Sequence, residues 1–232
     1  MNAEHQLTNL NFHFQSNLTF SNKIMLKAIG NIDVYLLDQL MKERIAPNAK
    51  ILDAGCGVAR NSEYFVRNNF DIFGIDNNEQ AIGEAKEQIA LWNANYDSKR
   101  FSVADLSEIP FPNNTFDFII SIAVLHFAND RAHFTNLFEE LIRVLKPGGL
   151  LFIRMTTKHT LAHHSQHLHD DVYDIPDGST RYLLDKDYLT ELMAKHKLTF
   201  VDPFKTVNVE DVRTMAVVVL QKASSVRDAD GK

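Results

Sequence analysis

Three stretches of this sequence hold residue types that can do chemistry. In "LDAGCGVAR", residues 52–60, Gly55 and Gly57 follow an apolar run. A glycine pair there lets the backbone turn sharply and come close to a ligand, while the following helix directs unpaired N–H groups at it. A bare turn is the other reading of the pair. Asp76 ends the apolar run "FDIFGIDNN" and can accept two hydrogen bonds from a ribose diol. Alternatively, Asp76 or Asn77 caps a helix beginning near Asn78. The third stretch, "KHTLAHHSQHLHDD" (158–171), contains five histidines. If it is helical, His159, His163 and His167 recur every four positions on one face, a spacing that can chelate a divalent metal, with Asp170 and Asp171 as oxygen donors. Leu161, His164, Leu168 and Val172 make an equally good packing stripe.

These residues need elements to hold them. "AKILDAG" predicts a buried strand, "RNSEYFVRNN" a helix, "FDIFGIDNN" a second strand and "EQAIGEAKEQIALWNAN" a helix. "KRFSVADL" and "FDFIISIAV" predict strands three and four, "RAHFTNLFEELIRVL" a helix, and "GLLFIRM" strand five. In "LKPGG", Pro147 is expected to stop the helix and the glycines to turn the chain into strand five. Alternating strands and helices give an α/β fold with a mostly parallel sheet and helices on both faces. Residues 156–184 read as polar and irregular, followed by the helix "DKDYLTELMAKH" and two terminal strands in "KLTFVDPFK" and "TMAVVVLQK". The expected layout is one domain: a helical cap over 1–47, the α/β body over 48–222 with an insertion at about 156–184, and a polar tail over 223–232.

Composition narrows the function classes. The chain has 232 residues and a formal net charge of -6, against the basic surface that nucleic acid or an anionic membrane requires. The N-terminus lacks a basic region followed by an apolar core, and no apolar run reaches bilayer-spanning length, so the expectation is a soluble, cytoplasmic protein. The single cysteine, Cys56, excludes an intramolecular disulfide and reads as a small packing residue within the glycine loop.

In such sheets ligands sit beyond the carboxyl ends of the strands, where strand order reverses. A dinucleotide fingerprint would place a third glycine at position 60, where this chain has Arg60, so a nicotinamide oxidoreductase is disfavoured. In order and spacing, "ILDAGCGVAR", "FGIDNN", "FSVADL", "FDFIISIAVLHF" and "LKPGGLLFI" resemble the class I S-adenosylmethionine-dependent methyltransferases over about residues 45–155. Within that family, "ARNSEYFVRNNFDIFGIDNN" looks most like the small-molecule enzymes of the tellurite-resistance type. The resemblance implies a Rossmann-like, doubly wound, seven-stranded sheet with an antiparallel C-terminal strand, and S-adenosylmethionine as cofactor. It implies that Asp53, Gly55, Cys56 and Gly57 line the methionine and ribose portion. Asp76 would bind the ribose hydroxyls and Asn77 lie beside the adenine. Ala104, Asp105 and Leu106 would surround the adenine, with Asp105 accepting from its exocyclic amine, and Ser121 would meet the methionine end. Where the family often has a third loop glycine this chain has Ala59, which implies a slightly repositioned loop.

A sulfonium methyl is already activated, so the protein's work is alignment and exclusion of water. A thiolate or reduced chalcogen acceptor needs no base, whereas an alcohol or amine gains from one. His126, beyond strand four in "AVLHF", is the catalytic candidate; the other reading is a hydrogen-bonded wall. The acceptor is expected to be a small molecule, contacted by parts outside the common core: Phe12, Phe14 and Phe20 as an apolar lid or ordinary core, Arg154, and Tyr173, Arg181 and Tyr182 in the insertion. Methyl transfer requires no metal, so no metal ligand is assigned, and the histidine-rich segment becomes a candidate acceptor wall. A cofactor-binding regulator or scaffold on the same fold is the alternative function.

Overall fold

The computed structural model describes residues 29–224. Helix α1 (Val34–Met41) precedes strand β1 (Lys50–Ala54), then α2 (Glu63–Arg67), β2 (Asp71–Asp76), α3 (Glu79–Trp92), β3 (Phe101–Val103) and β4 (Phe116–Ile122). Helix α4 (Arg131–Val144) leads into β5 (Leu145–Thr156), followed by β6 (Gln166–His169), β7 (Val172–Asp174) and β8 (Thr180–Tyr182). Helix α5 (Lys186–His196) and strands β9 (Leu198–Phe200), β10 (Lys205–Val209) and β11 (Arg213–Lys222) complete the chain. The main sheet runs β3-β2-β1-β4-β5-β11-β10, with β9 also paired to β11. Strands β1 to β5 are mutually parallel, and β11 is antiparallel to β5. The seven-position α/β sheet is therefore as expected.

Alternation along each strand feeds two cores, because successive side chains leave a strand on opposite faces. Ile51, Ile72, Phe118, Ile120, Val217 and Val219 pack under α1, α2 and α3. Leu52, Ile75, Ile119, Ile153, Ala216 and Val218 pack under α4 and α5. Each main helix starts on a polar cap: Asp33 on α1, Asn78 on α3, Asp130 on α4 and Asp185 on α5 each accept from a first-turn amide. Asn78, not Asp76 or Asn77, thus caps α3, which leaves the Asp76 side chain to other work.

The "LKPGG" stretch departs from expectation. Strand β5 already begins at Leu145, paired with Phe116, and the register shifts between Phe116 and Phe118. Gly148, at φ +81°, absorbs that irregularity, so the run bulges an existing strand where a turn was expected.

The insertion is ordered as a three-stranded antiparallel meander, β6-β7-β8, where an irregular segment was expected. Strands β7 and β8 flank "IPDGS", with Gly178 at φ +83°, the chemistry of a tight turn between antiparallel strands. Residues 161–164 form one 3-10 turn and 166–169 a strand whose side chains are all exposed. The helical spacing that would aim His159, His163 and His167 in one direction does not form. Among the described residues, no group of three His, Cys, Asp or Glu side chains is placed to hold a metal.

A buried carboxylate fastens the insertion to the body. Asp171, 1% exposed, accepts from Arg131 Nε (2.8 Å) and the Tyr182 hydroxyl (3.1 Å), and pairs with Lys158. The Tyr182 ring stacks on Phe134 of α4, centroids 4.7 Å apart. Where the insertion enters and leaves, Thr157 Oγ1 donates to the Leu184 carbonyl (2.8 Å) and Leu184 N donates to Thr156 O (2.9 Å). Tyr182 is therefore core and not an acceptor contact. Arg154 is also claimed internally: it pairs with the buried Asp33 and covers the Tyr35 ring at 5.2 Å, pinning α1 to the end of β5. Phe12, Phe14 and Phe20, with most of the tail, lie outside the described residues.

Asp202, between β9 and β10, receives both Arg44 nitrogens (2.6 and 2.9 Å) with Lys42 beside it, so the Arg44 guanidinium holds its carboxyl well below the usual carboxylate range. A lowered folded-state value means stability that is present at neutral pH and lost on acidification through the folded value. Asp202→Ala is expected to lower unfolding free energy at pH 7 by about 1–2 kcal/mol. The deficit should shrink as wild type and variant are melted at progressively lower pH, measured by circular dichroism.

Candidate active site

The strand order reverses between β1 and β4, and a crevice of about 370 Å³ opens there at the carboxyl edge. Gly55, Gly57, Asp76, Asn77, Asp105 and Leu106 line it, together with Ala123, Val124, Phe127, His133 and Leu137. Six of the ten residues expected at the cofactor thus converge on one cavity. The other four have different places.

The glycine loop is shaped by close approach. Gly55 has φ +78°, and a Cβ on it would lie 2.3 Å from Val124 Cγ2, the residue leaving β4. Gly57, at φ +52°, has open space where its Cβ would be, on the side lining the crevice. Ala59 also takes a left-handed conformation, at φ 63°, and donates its amide to Cys56 O (2.9 Å). Alanine thus keeps the turn a glycine would make, at a cost of about 1–2 kcal/mol. Arg60 points away and donates to Asn31 O (2.9 Å), opening a 3-10 turn where a dinucleotide fold packs its third glycine.

The loop amides do not all face a ligand, as the sequence reading expected. Gly55 N and Cys56 N both donate to Ile75 O (2.8 and 3.0 Å), tying the loop to β2. Gly57 N donates to Asp76 Oδ2 (2.8 Å), and Asn78 N donates to Asp76 Oδ1 (2.9 Å). The loop therefore aims a carboxylate: each Asp76 oxygen keeps a lone pair for a further donor. Across the crevice Asp105 accepts from Ser107 N (2.7 Å), and Ser107 holds its carboxyl below the usual range. Asn77 and Asp105 are exposed, Ala104 is half-buried, and Ala104 N donates to Asp76 O (3.0 Å).

Asp53, Cys56 and Ser121 lie beneath this surface. Asp53 is 2% exposed and accepts from Ser62 Oγ (2.7 Å). Burial pushes its carboxyl up to about 6, against the lowering effect of Ser62. The Cys56 thiol sits against Gly74, and burial pushes it up, so it stays an unreactive packing group. Ser121 Oγ is buried without a hydrogen-bond partner among the described residues.

His126 lies in the 3-10 turn Leu125–Phe127 that follows β4 and is 7% exposed. Its Nδ1 has no partner among the described residues, and its ring meets Phe127 edge-on at 4.5 Å. Burial, then the positive field of Arg181 and Arg213, lowers it to about 4, so the imidazole is neutral at physiological pH. Phe127 and His133 line the crevice itself, and neither was singled out in the sequence. For His133 the signal was available: Asp130 caps α4, which puts His133 in a first turn facing the carboxyl edge, where its Nδ1 accepts from Asn129 N (3.1 Å).

The lining fits an adenosyl ligand: an oriented acid, a glycine whose missing Cβ leaves room, and an apolar wall of Leu106 and Leu137. Residues 52–153 match the family model of a methyltransferase domain. Cycloartenol-C-24-methyltransferase of Arabidopsis thaliana is 37% identical over 106 residues, 45% of this chain and 30% of that protein. Phosphoethanolamine N-methyltransferase 3 of the same plant is 35% identical over 111 residues, 47% of this chain and 21% of that protein. The chain thus aligns with a third or less of the length of these relatives. A SAM-dependent methyltransferase from Methanosarcina mazei superposes with TM-score 0.62 at 23% identity, covering 80% of this chain and 97% of that one. Over residues 52–153 the chain is similar to a methyltransferase domain, and its fold is that of the solved S-adenosylmethionine-dependent methyltransferase. The crevice lies at the carboxyl edge of the segment that matches the methyltransferase domain.

Two outcomes test the geometry. Gly55→Ala should abolish binding of S-adenosylhomocysteine in calorimetry and destabilise the fold by about 1–3 kcal/mol, because left-handed strain and the Val124 clash add. Asp53 has a raised folded-state value, so its ionisation costs stability as pH rises from the ordinary 3.8 to about 6. Asp53→Asn should remove that fall from the stability-pH curve and make the unliganded protein more stable at pH 7.5.

Proposed function

We propose that this chain transfers a methyl group from S-adenosylmethionine to a small-molecule acceptor. The observation that carries the reading is Asp76, whose carboxylate is oriented by Gly57 N and Asn78 N at the end of β2 and faces the crevice. Asp76 would hold the ribose hydroxyls, with Asn77 beside the adenine. Ala104, Asp105 and Leu106 would frame the adenine, Asp105 accepting from its amine. Gly55, Gly57 and Cys56 would bound the ribose and methionine portion. Asp53 would support the loop through Ser62, and Ser121 would serve the methionine end.

Bound there, S-adenosylmethionine supplies a sulfonium methyl: the S–CH3 bond breaks as the bond to the acceptor forms, leaving neutral S-adenosylhomocysteine. The chain's contribution is placement. Val124 and Phe127 border the crevice where β4 ends, and the apolar lining keeps water from competing. His126 is the catalytic candidate by position, but an imidazole held near 4 is a weak base. This favours an acceptor that needs no proton removed, such as a thiolate or a reduced chalcogen. The two relatives are named for different acceptors, cycloartenol and phosphoethanolamine, so the shared segment does not carry acceptor choice.

Calorimetry should detect S-adenosylmethionine binding, and Asp76→Ala should weaken it by at least about 1–3 kcal/mol, the range for a lost charge-assisted hydrogen bond. S-adenosylhomocysteine should accumulate when wild type is given thiol and amine acceptor sets. Binding without any turnover would favour a regulatory or scaffold role, and unchanged affinity in the variant would place the donor elsewhere.

A further inference from the structure

The family match ends at residue 153, while the insertion that reaches the crevice mouth begins after Thr156. Its β8 strand brings Arg181 over the face of Phe127, guanidinium carbon 4.7 Å from the ring centroid. Phe127 is 58% exposed, lines the crevice, and backs onto the edge-on ring of His126. The guanidinium thus covers an exposed phenyl ring whose other contact is the edge of a buried imidazole.

Neighbouring arginines are neutralised: Arg131 by Asp171, Arg154 by Asp33, and Arg213 by Asp177 at 4.0 Å. Arg181 donates to the carbonyl of Thr180 beside it (2.7 Å) and has no carboxylate partner among the described residues. Stacking on an aromatic face holds the planar fork in place while leaving its edge free, and that edge matches the paired oxygens of a carboxylate or phosphate. Behind the same ring the buried His126 Nδ1 also lacks a hydrogen-bond partner among the described residues.

Resting on the methyltransferase reading, we infer that Arg181 is the residue that selects the acceptor: it binds an acidic oxyanion carried by a small amphiphile whose apolar part lies along Phe127. The oxyanion is a handle and not the methylated atom, since pairing with a guanidinium lowers its nucleophilicity.

The test uses the full chain saturated with S-adenosylhomocysteine and three probes of one shape: benzoate, phenyl phosphate and benzyl alcohol. Binding is followed by calorimetry and by the NMR signal of the Arg181 Nε–H group. Benzoate or phenyl phosphate should bind at least tenfold tighter than benzyl alcohol and shift that signal saturably; whichever is tighter identifies the oxyanion. Arg181→Gln should erase the preference, Arg181→Lys should restore part of it, and Phe127→Ala should weaken all three probes. S-adenosylhomocysteine affinity should stay within twofold in the Arg181 variants. Equal binding of the three probes, or an unchanged preference in Arg181→Gln, overturns the inference alone. Failure of wild type to bind S-adenosylhomocysteine overturns the donor-site reading and this inference with it.

Discussion

The crevice depends on one steric constraint. Where β1 ends and β4 exits, the two chain segments pass so closely that Gly55 has Val124 standing where its side chain would be. That approach forces the left-handed turn at Gly55, and left-handed residues continue at Gly57 and Ala59, answered across the gap by Ala123 at φ 59°. Once the loop is so placed, its amides fall beside β2 and are spent on Ile75 O and on Asp76. A contact between an absent side chain and a valine thus ends in the orientation of an acid.

Electrostatics at this edge are unevenly satisfied. Asp171 is fully buried yet surrounded by Arg131, Lys158 and Tyr182, so its charge is compensated and serves to fix the insertion. Asp53 is as deeply buried but has a single hydroxyl donor, Ser62, and its ionisation is correspondingly unfavourable. The orphaned Ser121 Oγ and His126 Nδ1 lie on the same side of the molecule as the crevice. Two left-handed alanines, Ala59 and Ala123, and two buried polar atoms without partners, Ser121 Oγ and His126 Nδ1, thus belong to the segments around the crevice.

The parallel sheet was legible because its strands are buried on both faces and stand out as apolar runs between amphipathic helices. The acid at Asp76 was legible from its place at a strand end. The insertion was not: its strands are three or four residues long, and those of β6 are wholly exposed, leaving too little periodicity to distinguish a meander from a coil. The turn at Asp177 and Gly178 was the readable clue. The helical alignment of the histidines was conditional, and the chain takes one 3-10 turn at 161–164 and then the strand β6 instead. Arg154 and Tyr182 looked available for a substrate because their partners, Asp33 and Asp171, are 121 and 11 residues away and no local pattern announces them.

The knot at Thr157 and Leu184 carries a broader consequence. Because the insertion leaves and rejoins the body through adjacent, mutually hydrogen-bonded residues, everything between them is a closed excursion whose length and composition do not touch the register of β4, β5 or β11. Val172, Tyr182 and the Asp171 carboxylate within it are built into the packing of the body, so its exposed residues can change without moving the glycine loop or Asp76. The two sides of the crevice are thereby built by separate parts of the chain, the glycine loop with Asp76 on one and the insertion's Arg181 against Phe127 on the other.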